Sequence, residues 1–212
     1  YFSRDYGENH RTYEGVDELA YLHPDRFTPE PDRLREHGVD PAEPYFVLRF
    51  VSMGAHHDVA RRGLSRGAKR RLVEDLSDYG TVYISSERPL PPEFGDYEVS
   101  IPPAEIHHLL AGAALLVGDS ETMATEAALL GTPTIRVNSH ATDEALGVFV
   151  ELEERGLVES TGDESTAHDR AIELATDPDA VDRWTDRRDA LLADSVDVTD
   201  YFLDLIVEAA NG

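Results

Sequence analysis

The chain has 212 residues, 41% of them apolar and 29% charged, with 43 acids against 19 bases for a net charge of −24. That length suits one large domain or one and a half, and acids interleaved with periodic apolar residues argue against disorder despite the charge. So negative a field excludes nucleic acid and anionic membranes as general partners, and the lack of cysteine excludes disulfides, thiolate catalysis and thiolate metal sites.

Lys69 is the only lysine. Abundant acid with so little lysine fits a halophilic, high-salt cytosol, where screening tolerates such charge. No run of about 18 apolar residues is present, and no basic-then-apolar leader opens the chain. A cytoplasmic protein without a transmembrane segment is therefore expected. The opening "YFSRDYGENHRTYEG" has no initiator Met and is not how a core begins. The expectation is the C-terminal part of a longer protein.

Residues 1–43 are polar, aromatic and rich in turns, and Pro24, Pro29 and Pro31 forbid a long helix there. They are expected to be an entry segment from a preceding domain, with a short helix near 31–37. "YFVLRFV" (45–51) has the length and the β-branched and aromatic content of a strand. After a loop, residues 64–80 space Leu72, Val73 and Leu76 as a helix does, with Gly80 as its C′ glycine. "TVYISS" (81–86) predicts a second strand and "YEVSI" (97–101) a short third. Residues 102–113 predict a helix with prolines at its start. A fourth strand follows at 114–119, then the helix "ETMATEAALLG". "PTIRVN" (133–138) predicts a fifth strand, 142–156 a helix and "LVES" a short sixth strand. From about Asp163 two or three helices remain, divided at Pro178. Such alternation predicts an α/β fold: a parallel sheet with helices on both faces.

The stretch "LVGDSETMATEAALLGTPTIRVNS" (116–139) is the most informative. In an open α/β sheet, ligands bind at the carboxyl ends of the strands. Ser120 is a good N-cap there, with Glu121, Thr122 and Met123 as the first helical positions. Their unpaired amides and the positive helix end can hold a phosphate. Glu126 shares a face with Thr122 and Met123, about 6 Å further along the axis. That matches the span from a nucleotide's phosphate to its ribose, whose two hydroxyls a carboxylate can accept. The plainer reading makes Ser120 a cap, Glu121 a dipole complement and Glu126 a solvated helix residue. Glu121 also brings an acid to the place where a phosphate would arrive. Neither the Walker nor the dinucleotide fingerprint is present.

This stretch resembles the C-terminal signature of a family of archaeal and bacterial proteins defined as a domain of unknown function. That family in turn resembles GT-B glycosyltransferases and the non-hydrolysing UDP-N-acetylglucosamine 2-epimerases. "LRFVSMGAHHD" (48–58), "GLSRGAKRRLVEDL" (63–76), "YISSERPLP" (83–91) and "IPPAEIHHLLAGAALLVGDS" (101–120) carry the same resemblance. It implies a Rossmann-like C-terminal domain, over 44–212, of a GT-B-like two-domain fold whose N-terminal domain precedes it. By the resemblance, Glu126 would hold the ribose of UDP, Ser120 to Met123 the diphosphate, and the loop Ile101 to Pro103 would face the base. The epimerases carry Ser-Gly-Gly where this chain has Ser120-Glu121-Thr122.

Other candidates lie at strand ends. Arg49 is polar within an apolar strand and can reach a phosphate bidentately, or pair with a buried acid. His57 and Asp58 are candidates for a base and its orienter, and otherwise loop residues. Arg136 faces opposite to Ile135 and Val137, as a crevice cation or in an internal salt bridge. Asn138 can touch a sugar, and Glu87-Arg88 can line the same crevice. Of His107 and His108, one is expected to face the sheet edge and the other solvent. A zinc site from His56, His57, His107, His108 and Asp119 has no supporting local spacing, so no metal and no cofactor are expected. Two functions stay open. One is the UDP-sugar-binding half of a glycosyltransferase-like enzyme, or of a sugar-nucleotide 2-epimerase. The other is a non-catalytic nucleotide-binding or assembly module.

Overall fold

A computed structural model describes residues 7, 10–50, 64–86, 89–137 and 147–211. Five parallel strands form one sheet in the order β2-β1-β3-β4-β5. They are β1 (Tyr45–Phe50), β2 (Thr81–Ser86), β3 (Leu115–Gly118), β4 (Thr134–Val137) and β5 (Glu159–Thr161). β1, β3 and β4 are the central strands, and β3 and β4 are buried along their whole length. This is why their sequences read as unbroken apolar runs rather than alternating ones.

The helices are α1 (Leu19–Leu22), α2 (Arg66–Leu76), α3 (Ile106–Gly112), α4 (Glu121–Leu129), α5 (Gly147–Glu154), α6 (Glu164–Thr176), α7 (Ala180–Asp194) and α8 (Val198–Asn211). β4 shows how the two faces are filled. Ile135 lies with Thr166 and Arg170 of α6, while its neighbour Arg136 reaches Phe149 and Glu153 of α5. Alternate strand residues point to opposite faces, so α5 and α6 lie on opposite sides, as the alternation at Arg136 predicts.

Caps account for several helix starts. The Ser65, Ser120 and Asp163 side chains accept from the N–H groups of Ala68, Met123 and Thr166. α4 ends as expected at Gly131, which has φ of +84°, before Pro133. Gly80 departs from its expected role. α2 ends at Leu76, four residues earlier in the chain. A Cβ on Gly80 would meet the Pro44 carbonyl oxygen at 2.5 Å, so close approach, not a helix cap, requires glycine there.

"YEVSI" is not a strand. Pro92–Tyr97 forms a 3-10 helix, and only a lone bridge joins Glu98 to Ile84. Pro91 and Pro92 favour the turn, and buried Phe94 anchors it. The helix expected over 102–113 divides into a 3-10 turn, Pro103–Glu105, and α3. The start of the helix expected from 142 lies outside the described residues.

Residues before β1 belong to the same core. Val16, Leu19, Leu22, Leu34 and Val39 are buried in it, and Pro31–His37 forms the expected short helix, of 3-10 type. This N-terminal arm is strapped at both ends. Arg33 donates twice to Glu105, at 2.9 and 2.6 Å, and the Glu30 N–H donates to His108 Nδ1 at 2.9 Å. At the other end Arg26 donates to Asp197 at 2.8 Å, and Tyr13 packs on Tyr201 and Phe202 of α8. α8 turns Leu203, Ile206 and Val207 outward, 54%, 65% and 58% exposed. Trp184 is fully buried, and its indole N–H donates to the Leu157 carbonyl at 2.8 Å.

Candidate functional site

The strand order reverses direction between β1 and β3. β2 leaves β1 on one side, and the chain returns to place β3 on the other. A crevice forms above the carboxyl ends of strands at such a switch point. Gly118 closes β3 here because nothing larger fits: a Cβ would meet the Arg49 carbonyl oxygen at 2.5 Å. The chain then turns at Asp119, whose N–H donates to that same carbonyl at 3.2 Å.

Ser120 caps α4, and its Oγ accepts from the Met123 N–H at 3.4 Å. The N–H groups of Glu121 and Thr122 bond no described residue, so two amides of the first turn stay open. Glu121 and Thr122 are exposed and Met123 is buried. The Glu121 carboxylate, 47% exposed, lies 3.5 Å from Arg136 Nη1.

Arg136 is engaged internally. Nε donates to Ser160 Oγ at 3.0 Å, Nη2 lies 3.8 Å from Glu153, and the guanidinium stacks 3.8 Å from the Phe149 ring centroid. Burial pushes its pKa down, while Glu153 and Glu121 pull it back. Arg49 donates from Nη1 to Ser85 Oγ at 3.2 Å, across the β1–β2 edge.

Glu126 is not a solvated helix residue. Its side chain is only 10% exposed. The Tyr21 hydroxyl donates to its Oε1 at 3.0 Å, and His107 Nε2 lies 3.0 Å from the same oxygen. A carboxylate only accepts, so that ring nitrogen carries the proton. Neither histidine turns to solvent, against the expectation for one of them: His107 is half-buried against Glu126, and His108 is buried on the Glu30 N–H. Phe27 of the arm packs on both rings, and Tyr21 stacks on His107 with centroids 5.6 Å apart. Burial, and the charges of Glu126 and Glu18, push the Tyr21 phenol up, so it remains a donor at neutral pH.

Three residues at this site carried no local sequence signal for the roles the structure gives them. Tyr21 comes from the arm, 105 residues before its partner Glu126. His107 reaches the same carboxylate from α3. Lys69 of α2 is buried, with its Nζ 4.5 Å from the ring centroid of Phe50 at the end of β1. Burial pushes its pKa down, opposed by Asp119 and Glu164. Its standing as the only lysine was the available hint.

Ile101 packs against the core, and Pro102 immediately precedes the 3-10 turn Pro103–Glu105. His57, Asp58, Asn138, His56 and Glu87-Arg88 lie outside the described residues. Among the described residues, no cluster of three or more His, Asp or Glu can hold a metal ion.

No protein-family model matches the chain, and no curated protein matches it either. Solved structures do. The wall teichoic acid polymerase TagF aligns with TM-score 0.57 at 12% identity, over 92% of this chain and 50% of its own. The Streptomyces sp. SF2575 glycosyltransferase SsfS6, complexed with thymidine diphosphate, aligns with TM-score 0.51 at 14% identity, over 81% of this chain and 43% of its own. A UDP-N-acetylglucosamine 2-epimerase aligns with TM-score 0.50 at 19% identity, over 84% and 47%. The chain therefore spans about half the length of the structures it resembles. Its five-stranded parallel sheet with flanking helices is the fold of one half of a GT-B protein.

Proposed function

We propose that this chain is the nucleotide-sugar-binding half of a GT-B-type, glycosyltransferase-like enzyme, with a UDP-sugar as its ligand. The diphosphate sits on the open amides of Glu121 and Thr122, where the helix dipole favours anions. Glu126 accepts the ribose hydroxyls, Lys69 supplies a cation to the diphosphate, and the loop at Ile101 to Pro103 meets the base. The observation that carries this reading is Glu126. A buried carboxylate, held by two donors in the second turn of a helix that begins at the switch point, is costly unless it has a task. His57 and Asp58 are the proposed base and orienter. The acceptor side belongs to the other half of the full-length protein.

Arg136 fits this reading as a support, since its guanidinium lies 3.5 Å from Glu121 and offsets part of that charge near the seat. The likeness to the epimerase keeps 2-epimerase chemistry as a variant on the same nucleotide site. A non-catalytic module is the second reading. It is favoured by the Glu121 carboxylate, which stands where the phosphate arrives.

Titration of UDP into the full-length protein in high salt tests the proposal. Saturable binding, lost in Glu126→Ala with the fold retained, is the expected result. Unchanged binding in that variant refutes the site.

A further inference from the structure

Tyr21 and His107 both bond Oε1 of Glu126, at 3.0 Å each. Oε2 bonds no described residue, although the side chain is nine-tenths buried. Oε2 is not sealed from solvent, so it is open to a hydroxyl donor, which a carboxylate oxygen can accept. The two donors come from separate parts of the chain, the arm and α3, and their rings stack on each other. Such a clamp fixes the carboxylate's rotamer before any ligand arrives.

Resting on the reading of Glu126 as the ribose acceptor, we propose that Tyr21 and His107 are positioning residues. By holding Oε1 they leave Oε2 as the acceptor for the ribose 2′-hydroxyl, so that the N-terminal arm makes the site select ribonucleotides over 2′-deoxyribonucleotides. The logic is that of a site built to accept a hydroxyl, which rejects the analogue lacking it. Pre-organisation matters because a free carboxylate would spend part of the binding energy on ordering itself. Burial and the nearby Glu126 and Glu18 charges keep the Tyr21 proton in place for this work.

The test compares UDP with 2′-deoxyuridine diphosphate by calorimetry on the full-length protein. Wild type is expected to prefer UDP by about tenfold or more, the scale of a hydrogen bond to a charged group. Tyr21→Phe keeps the ring and its stacking but loses the donor. It is expected to weaken UDP by about fivefold and leave the deoxy analogue unchanged. His107→Leu behaves alike, and His107→Gln, which restores an N–H donor, recovers the preference. Parallel weakening of both nucleotides, with a fall in thermal midpoint, would mean that the two residues only pack the arm, and would overturn the inference. Loss of UDP binding in Glu126→Ala with the preference intact in Tyr21→Phe and His107→Leu would overturn it while sparing the nucleotide site. Failure of wild type to bind UDP at all would sink both.

Discussion

Glu121 is where two demands on one residue collide. As the first residue of α4 it complements the helix dipole, yet its charge would oppose a phosphate seated as proposed on that turn. At an effective dielectric near 40, two charges about 6 Å apart repel by ~1.4 kcal/mol, a factor of ~10 in affinity. Glu121→Gln is therefore expected to tighten UDP binding several-fold at low salt and much less at 1 M, where the Debye length is ~3 Å. Calorimetry at both salt levels reads the difference, and weaker binding in the variant would count against a phosphate on this turn. Gly118 is constrained more simply. Its missing Cβ leaves room for the Arg49 backbone at 2.5 Å, which no rotamer change can move. Gly118→Ala is expected to cost about 1–3 kcal/mol in urea denaturation, and a neutral result would show that β1 and β3 can separate there.

Carboxylates fasten the elements to one another. Arg33 holds the Glu105 carboxyl below its ordinary range, Arg26 does so for Asp197, and the Thr166 N–H does so for Asp163. Each has a depressed folded pKa, so its contribution is complete above the unfolded value near 4 and disappears as pH falls through the lower folded value. Glu18 acts in the opposite sense. Burial pushes its carboxyl up, with Asp17 and Glu126 adding to the shift. Two of the three depressed groups pin the arm, so the arm should loosen first in acid. Limited proteolysis with pepsin at pH 3, followed by mass spectrometry, is expected to cut within 10–40 before it cuts the sheet. Initial cuts elsewhere would argue against the strap. The same elements show what the sequence carried and what it did not. "TVYISS" becomes β2 with the boundaries read from it, because a β-branched run between turns has few alternatives. Gly131-Thr132-Pro133 ends α4 because a positive φ and a missing donor act locally. "YEVSI" has the right residue types, but its neighbouring prolines fold into a 3-10 turn that leaves one bridge. Ser120 announced itself as a cap. The Tyr21 and His107 partners of Glu126 did not, because tertiary packing alone brings together residues 105 and 19 positions apart.

The whole molecule is governed by its net charge of −24. Self-repulsion of that size opposes compaction, and added salt screens it. The thermal midpoint is expected to climb by several degrees between ~0.1 M and ~1 M salt, as calorimetric melting would show. A flat profile would mean that local ion pairs already offset the repulsion. The outward-facing Leu203, Ile206 and Val207 of α8 add an apolar strip beside the arm. Salt strengthens contacts through such a strip while it relieves the repulsion.

The arm's double anchorage sets a practical limit on how this protein can be cut down. A chain begun just before β1, where the regular sheet starts, would lose Val16, Leu19, Leu22, Leu34 and Val39 from the interior. It would also strip Tyr21 from Glu126 and bare the rings of His107 and His108. Such a trimmed version should precipitate or bind nucleotide poorly even with every strand present, so any minimal fragment has to keep the segment that looks most dispensable.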